Sequence, residues 1–69
     1  MAALVARQIV EFVYEFDYFT ARDEYASEVQ AEAAVADLLA HHPEAIVAYL
    51  ESFGMPTADH LIERIASLA

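Results

Sequence analysis

An all-α fold, a small compact bundle of about four helices, is what this chain predicts from three observations. Large apolar residues recur at intervals of three and four along most of its length. Pro43, Pro56 and the lone Gly54 fall between those periodic segments, where helices start and stop. Only one segment carries a strand-like pattern, and it has no second strand to pair with.

In the first helix Leu4, Val5, Ile9, Phe12, Val13, Phe16 and Phe19 form the inner stripe, with Arg7, Glu11, Glu15 and Tyr18 opposite. A period-two pattern competes here: Val10, Phe12, Tyr14, Phe16 and Tyr18 alternate with Glu11, Val13, Glu15 and Asp17. It defines an alternative α+β fold in which residues 8–20 form a strand pairing across a dimer. Helix is preferred because the opening Ala-Ala-Leu-Val-Ala-Arg-Gln is a good helix former.

Thr20 followed by Asp23 resembles a capping box and places the start of a second helix, running from Ala21 to His41. Its inner stripe is Tyr25, Val29, Ala33, Ala36 and Leu39, supplemented by Val35 and Leu38. Pro43 and Glu44 suit the first turn of a third helix, whose buried stripe is Ile46, Val47, Leu50 and Phe53 and which Gly54 ends. Thr57 caps the last helix, with Asp59 in its first turn and Leu61, Ile62, Ile65 and Leu68 inward.

The 69 residues make one domain, 1–69. A chain of this size exposes about 4,300 Å² when folded, so its core is small. Hydrophobic residues nevertheless reach 59%. That surplus predicts a self-association or partner-binding face, a homodimer being one form of it. No cysteine is present, which removes disulfides and thiolate zinc clusters and makes a cytoplasmic location the expectation. The stretch Met1 to Ala6 lacks the basic region of a signal peptide, and acids interrupt every apolar run before membrane-spanning length.

Charge narrows the function further. Twelve Asp and Glu stand against three basic residues, Arg7, Arg22 and Arg64, for a net charge of -9. Such a surface repels phosphate backbones and anionic lipid, excluding direct nucleic-acid or membrane binding and favouring a basic protein partner. Enzyme chemistry is not expected. One glycine makes no phosphate-cradling loop, no lysine is available for a Schiff base, and Ser27, Ser52 and Ser67 have no His or acid at a suggestive spacing. No cofactor is implied. Asp37 with His41, His60 with Glu63, and His42 with Glu44 have metal-ligand spacing. His41 and His42 close the second helix, where an imidazole suits the negative dipole end, and His60 lies in the first turn of an exposed helix, so no metal is expected.

The acids themselves are the most specific feature. Glu24, Glu28 and Glu32 repeat at i,i+4, an arrangement that repels along a helix and calls for a compensating use. Glu11, Glu15, Asp17 and Asp23 lie nearby, interleaved with Tyr14, Tyr18 and Tyr25. Tyrosine buries large area at low entropic cost, and carboxylates steer a basic partner. The candidate partner-binding residues are therefore Glu11, Glu15, Asp17, Tyr18, Asp23, Glu24, Tyr25, Glu28 and Glu32. An ordinary solvating role for the acids, and a core-edge role for the tyrosines, explain the same residues without a partner.

The segment Gln8-Ile-Val-Glu-Phe-Val-Tyr-Glu-Phe-Asp-Tyr, together with the small size and acidity, resembles the short acidic accessory proteins of phages and conjugative elements, the anti-CRISPR and anti-restriction proteins among them. The resemblance implies a mechanism and assigns no residue. Such proteins occupy a positively charged nucleic-acid channel of a defence effector, carboxylates standing in for phosphates, or block a subunit surface. The expected function is accordingly a small acidic inhibitor of a basic, nucleic-acid-handling protein such as a CRISPR or restriction effector. Two alternatives differ in kind: a helical dimerisation or adaptor module working through Phe12, Phe16, Leu50 and Phe53, and an antitoxin or immunity protein against a basic toxin.

Overall fold

The computed structural model describes residues 2–68, which form five α-helices and no strand. These are α1 (Ala2–Phe16), α2 (Tyr18–Glu24), α3 (Glu28–His41), α4 (Pro43–Glu51) and α5 (Pro56–Ala66). Met1, part of the N-terminal stretch read above, and Ala69 lie outside the described residues. The all-α expectation holds; the strand alternative for residues 8–20 does not, since α1 and α2 occupy that segment. A radius of gyration of 10.9 Å is close to the roughly 11 Å expected of a compact chain this long. The accessible surface, 4525 Å², is near the size-scaling value.

The fifth helix comes from dividing what the apolar spacing joins. At Asp17 the backbone leaves helical geometry (φ -144°, ψ 48°), so α1 stops one residue earlier and α2 starts one residue later. The Asp17 side chain caps no N–H of α2. The Asp17 N–H still donates to the Val13 carbonyl at 2.7 Å, and its own carbonyl accepts from the Ala21 N–H at 3.0 Å. Thr20 therefore lies inside α2 and caps nothing.

The start of α3 is set by Ser27, whose backbone is extended and whose hydroxyl oxygen accepts the Gln30 N–H at 3.2 Å. Ser27-Glu28-Val29-Gln30 is itself a capping-box sequence. Tyr25, extended at φ -122°, ends α2, so the single helix expected from Ala21 to His41 is two, separated by residues 25–27. His42 then serves as C-cap of α3 and N-cap of α4, and Pro43 opens α4. Gly54 takes the left-handed conformation (φ 61°) after α4, the place where glycine carries no steric cost. Met55, not Thr57, occupies the N-cap of α5; Pro56 is its first residue, which moves Thr57 into the helix.

α1 is the centre of the bundle, packed against α2, α3 and α5, while α4 bridges α3 and α5. Ile9 of α1 and Leu50 of α4 are the largest fully enclosed side chains. Ala6, Ala31 and Ala58, on α1, α3 and α5, are also enclosed, and their small size lets the helices approach closely. A helix with neighbours on several sides buries a wide face. Val5, Ala6, Ile9, Val10 and Phe12 are buried on α1, and the stripe turns away from Leu4, Phe16 and Phe19, which are exposed. On α3 the buried line is Ala31, Val35 and Leu39; Val29 is 77% exposed and Ala33 also faces out, because at 100° per residue they lie about 200° round the helix from Ala31 and Val35 respectively. Leu61 and Ile65 of α5 are buried as expected, Ile62 is half-buried, and Leu68 is exposed beyond the helix end.

Candidate functional site

Two surface features are built around α1. The first is an aromatic corner where α1 passes into α2. The kink at Asp17 turns Phe16, Tyr18 and Phe19 outward, and they are 46%, 48% and 75% exposed. The Tyr18 ring meets Phe19 edge-to-face at 5.6 Å and Tyr14 at 6.2 Å. Phe16 leans on the buried Phe12 at 4.9 Å, and Phe12 in turn packs edge-to-face on Phe53, also at 4.9 Å. Phe16 is thus held by a core ring and Tyr18 by the partly buried Tyr14, whereas Phe19 rests on Tyr18 alone among the rings. Exposed Glu15 and Asp23 lie beside them in sequence.

The second feature is a groove of about 170 Å³ between α1, α3 and α4, partly closed by the end of α2. Its floor is apolar, with Ile9, Val10, Val35 and Ile46 among its buried members. Tyr14, Tyr25, Tyr49 and Glu24 form its more exposed part, so three of the chain's four tyrosines meet here. The Tyr49 hydroxyl donates to Asp17 Oδ2 at 3.1 Å, joining α4 to the α1–α2 junction. Burial, the hydrogen bond to Asp17 and the charges of Asp17 and Glu24 push the Tyr49 phenol up to about 12. Burial first, then Glu24, raises Tyr25 as well. Both phenols stay protonated and neutral at physiological pH.

The sequence-predicted residues do not form one face. Asp17, Glu24 and Tyr25 gather at the groove, Tyr18 sits at the aromatic corner, and Asp23 is exposed on α2. Glu11 and Glu15 border a shallower depression between α1 and α5, together with Gln8, Phe12 and His60. At 100° per residue, those α1 positions are centred about 125° round the helix from Val10, Val13 and Tyr14 of the groove. Glu28 is the first residue of α3 and Glu32 follows one turn later, but Glu24 belongs to α2, so the expected continuous line of three carboxylates is broken. The residues that sequence reading missed are Tyr49, which flanks the Ile46–Leu50 stripe, and Phe16 and Phe19, assigned to the core by their spacing.

Ion pairing leaves most of the acidity uncompensated. Among the described residues, Arg7 Nε approaches Glu11 Oε1 at 3.7 Å, as the i,i+4 spacing predicts, and both side chains are exposed. Nδ1 of His41 lies 3.3 Å from Asp37 Oδ1, and Nδ1 of His42 lies 3.3 Å from Glu44 Oε1. Arg22 makes no ion pair with the acids of the α1–α2 region among the described residues. Nor do the described residues bring three His, Asp or Glu together in a metal-binding group. No helix among them is long and apolar enough to cross a membrane. No protein-family model, curated protein or solved structure matches this chain.

Proposed function

We propose that this chain is a small acidic inhibitor that docks on the basic surface of a nucleic-acid-handling protein, such as a CRISPR or restriction effector. The aromatic corner Phe16, Tyr18 and Phe19 supplies the contact, and Glu15, Asp17, Asp23 and Glu24 supply complementary charge. The carrying observation is Phe19, three-quarters exposed, beside two other half-exposed rings in a chain of net charge -9. Phe16, seated on the buried Phe12, is pre-ordered for an interface, and aromatic anchors commonly carry most of the binding energy. The unpaired acids steer a basic partner toward them. Carboxylates occupying a phosphate-binding surface would compete directly with the nucleic acid.

The test is titration into a purified effector with its nucleic acid as competitor. Binding displaces the nucleic acid, weakens at least tenfold between about 0.05 and 0.5 M salt, and is lost in Phe19→Ala. Salt-independent affinity overturns electrostatic mimicry. A second reading, a dimerisation module, is favoured by the same exposure of Phe19 and of Phe16; Phe12 and Leu50, expected to serve it, are buried. Sedimentation equilibrium separates the two: a dimer dispersed by Phe19→Glu supports the module, and a monomer at high concentration supports the inhibitor.

A further inference from the structure

The groove between α1, α3 and α4 calls for an explanation independent of the aromatic corner. Small domains have little apolar surface to spare, and an open groove of about 170 Å³ leaves part of it in contact with solvent. Side chains large enough to fill it are absent: Ala31 and Ala45 contribute methyl groups to its lining. A cavity of about 150 Å³ accommodates a benzene-sized molecule, so the space suits a ligand well below drug size.

The polar groups define the ligand's charge. Tyr14, Tyr25 and Tyr49 line the groove with Glu24, and Asp17 is hydrogen-bonded to Tyr49 at its edge. None of the lining residues is Arg or His. A cation is drawn to the negative faces of aromatic rings and to a carboxylate, and an apolar body is drawn to Val10, Val35 and Ile46. An anion would meet Glu24 and Asp17 with no compensating cation among the lining groups. The phenols remain neutral, and the Tyr49 hydroxyl is already committed to Asp17.

We propose that this groove binds a small apolar organic cation of the aryl- or alkylammonium class, its apolar part on the α1–α3–α4 floor and its cationic head among Tyr14, Tyr25, Tyr49 and Glu24.

Phenyltrimethylammonium and its neutral isostere tert-butylbenzene are the probes. The chain has no Trp, and three of its four tyrosines line the groove, so tyrosine fluorescence detects binding and amide chemical shifts locate the ligand. The ammonium binds with a submillimolar dissociation constant, about tenfold tighter than tert-butylbenzene, and perturbs the amides of Tyr14, Glu24, Tyr25 and Tyr49. Glu24→Gln, an exposed and fold-neutral change, weakens the ammonium several-fold without altering tert-butylbenzene binding. Tyr25→Leu, which keeps apolar bulk and removes the ring, weakens it about tenfold. Equal or tighter binding of tert-butylbenzene, shifts confined to other surfaces, or no binding at about 10 mM ammonium would each overturn the assignment.

Discussion

Asp17 and Tyr49 hold together parts of the chain that sequence spacing treats separately. In the sequence Asp17 reads as a candidate partner-binding acid, and no pattern singles out Tyr49. Folding brings them to 3.1 Å across 32 positions, and that long-range closure is what no local pattern records. Tyr49→Phe removes the hydrogen bond while keeping the ring that packs edge-to-face on Phe53 at 5.2 Å. The expected loss is about 0.5–1.5 kcal/mol at neutral pH, the range of a partly exposed hydrogen bond. The same phenol makes stability depend on alkaline pH. Its folded-state pKa, about 12, lies above the ordinary value of 10.0, so the fold binds its proton more tightly than the unfolded chain does. That stabilisation is complete below pH 10 and is lost as pH rises through 12; Tyr25, raised in the same direction, adds to the loss. Urea midpoints measured across this interval should fall steeply in the native chain and more gently in Tyr49→Phe. Parallel curves would show that Tyr49 is not responsible.

Helix boundaries were legible where punctuation is backbone-intrinsic and illegible where it depends on choosing between similar signals. Pro43, Gly54 and Pro56 mark α4 and α5 because ring closure and the missing Cβ act whatever the surroundings. Between α1 and α3 the sequence offers two cap patterns, Thr20 with Asp23 and Ser27 with Gln30, and apolar spacing alone favours the earlier one. The later one operates, since the Asp17 kink and the extended Tyr25 let residues 18–24 form a separate helix. Val29 is exposed for a different reason: α3 buries the face of Ala31, Val35 and Leu39, and Ala31 lies about 200° round the helix from it. Ser27→Ala should therefore cost about 1 kcal/mol, whereas Thr20→Ala, within exposed α2, should be neutral or slightly stabilising, alanine being the better helix former. Thermal melts of the two variants decide between the caps. A larger loss in Thr20→Ala would contradict the boundary at Ser27.

For the molecule as a whole, composition made the acidity plain but not its distribution. Sequence proximity gathers Glu11 through Glu32 at one end of the bundle, whereas packing α1 centrally sends Glu11 and Glu15 to one side and Glu24 to the other. Acids occur on every helix, and Glu11/Glu15, Glu28/Glu32 and Asp59/Glu63 are like-charge i,i+4 pairs. Each such pair costs a few tenths of a kcal/mol, on the order of 1 kcal/mol for the set. The molecule measures only 29 × 23 × 17 Å, so more distant acids also repel across it at low ionic strength. Raising NaCl from about 0.01 to 0.5 M should lift the melting temperature by roughly 4–8 °C, the shift that 1 kcal/mol gives in a domain this small. Glu28→Gln combined with Glu32→Gln should raise the low-salt value and shrink the salt increment. Docking on a basic protein carries the opposite sign, because screening that relieves repulsion within the free chain weakens its attraction to the partner. Measured on one preparation, stability rising with salt while affinity falls would assign both effects to the same carboxylates. Stability insensitive to salt would mean that the acids are already neutralised within the fold, leaving little charge to steer a partner.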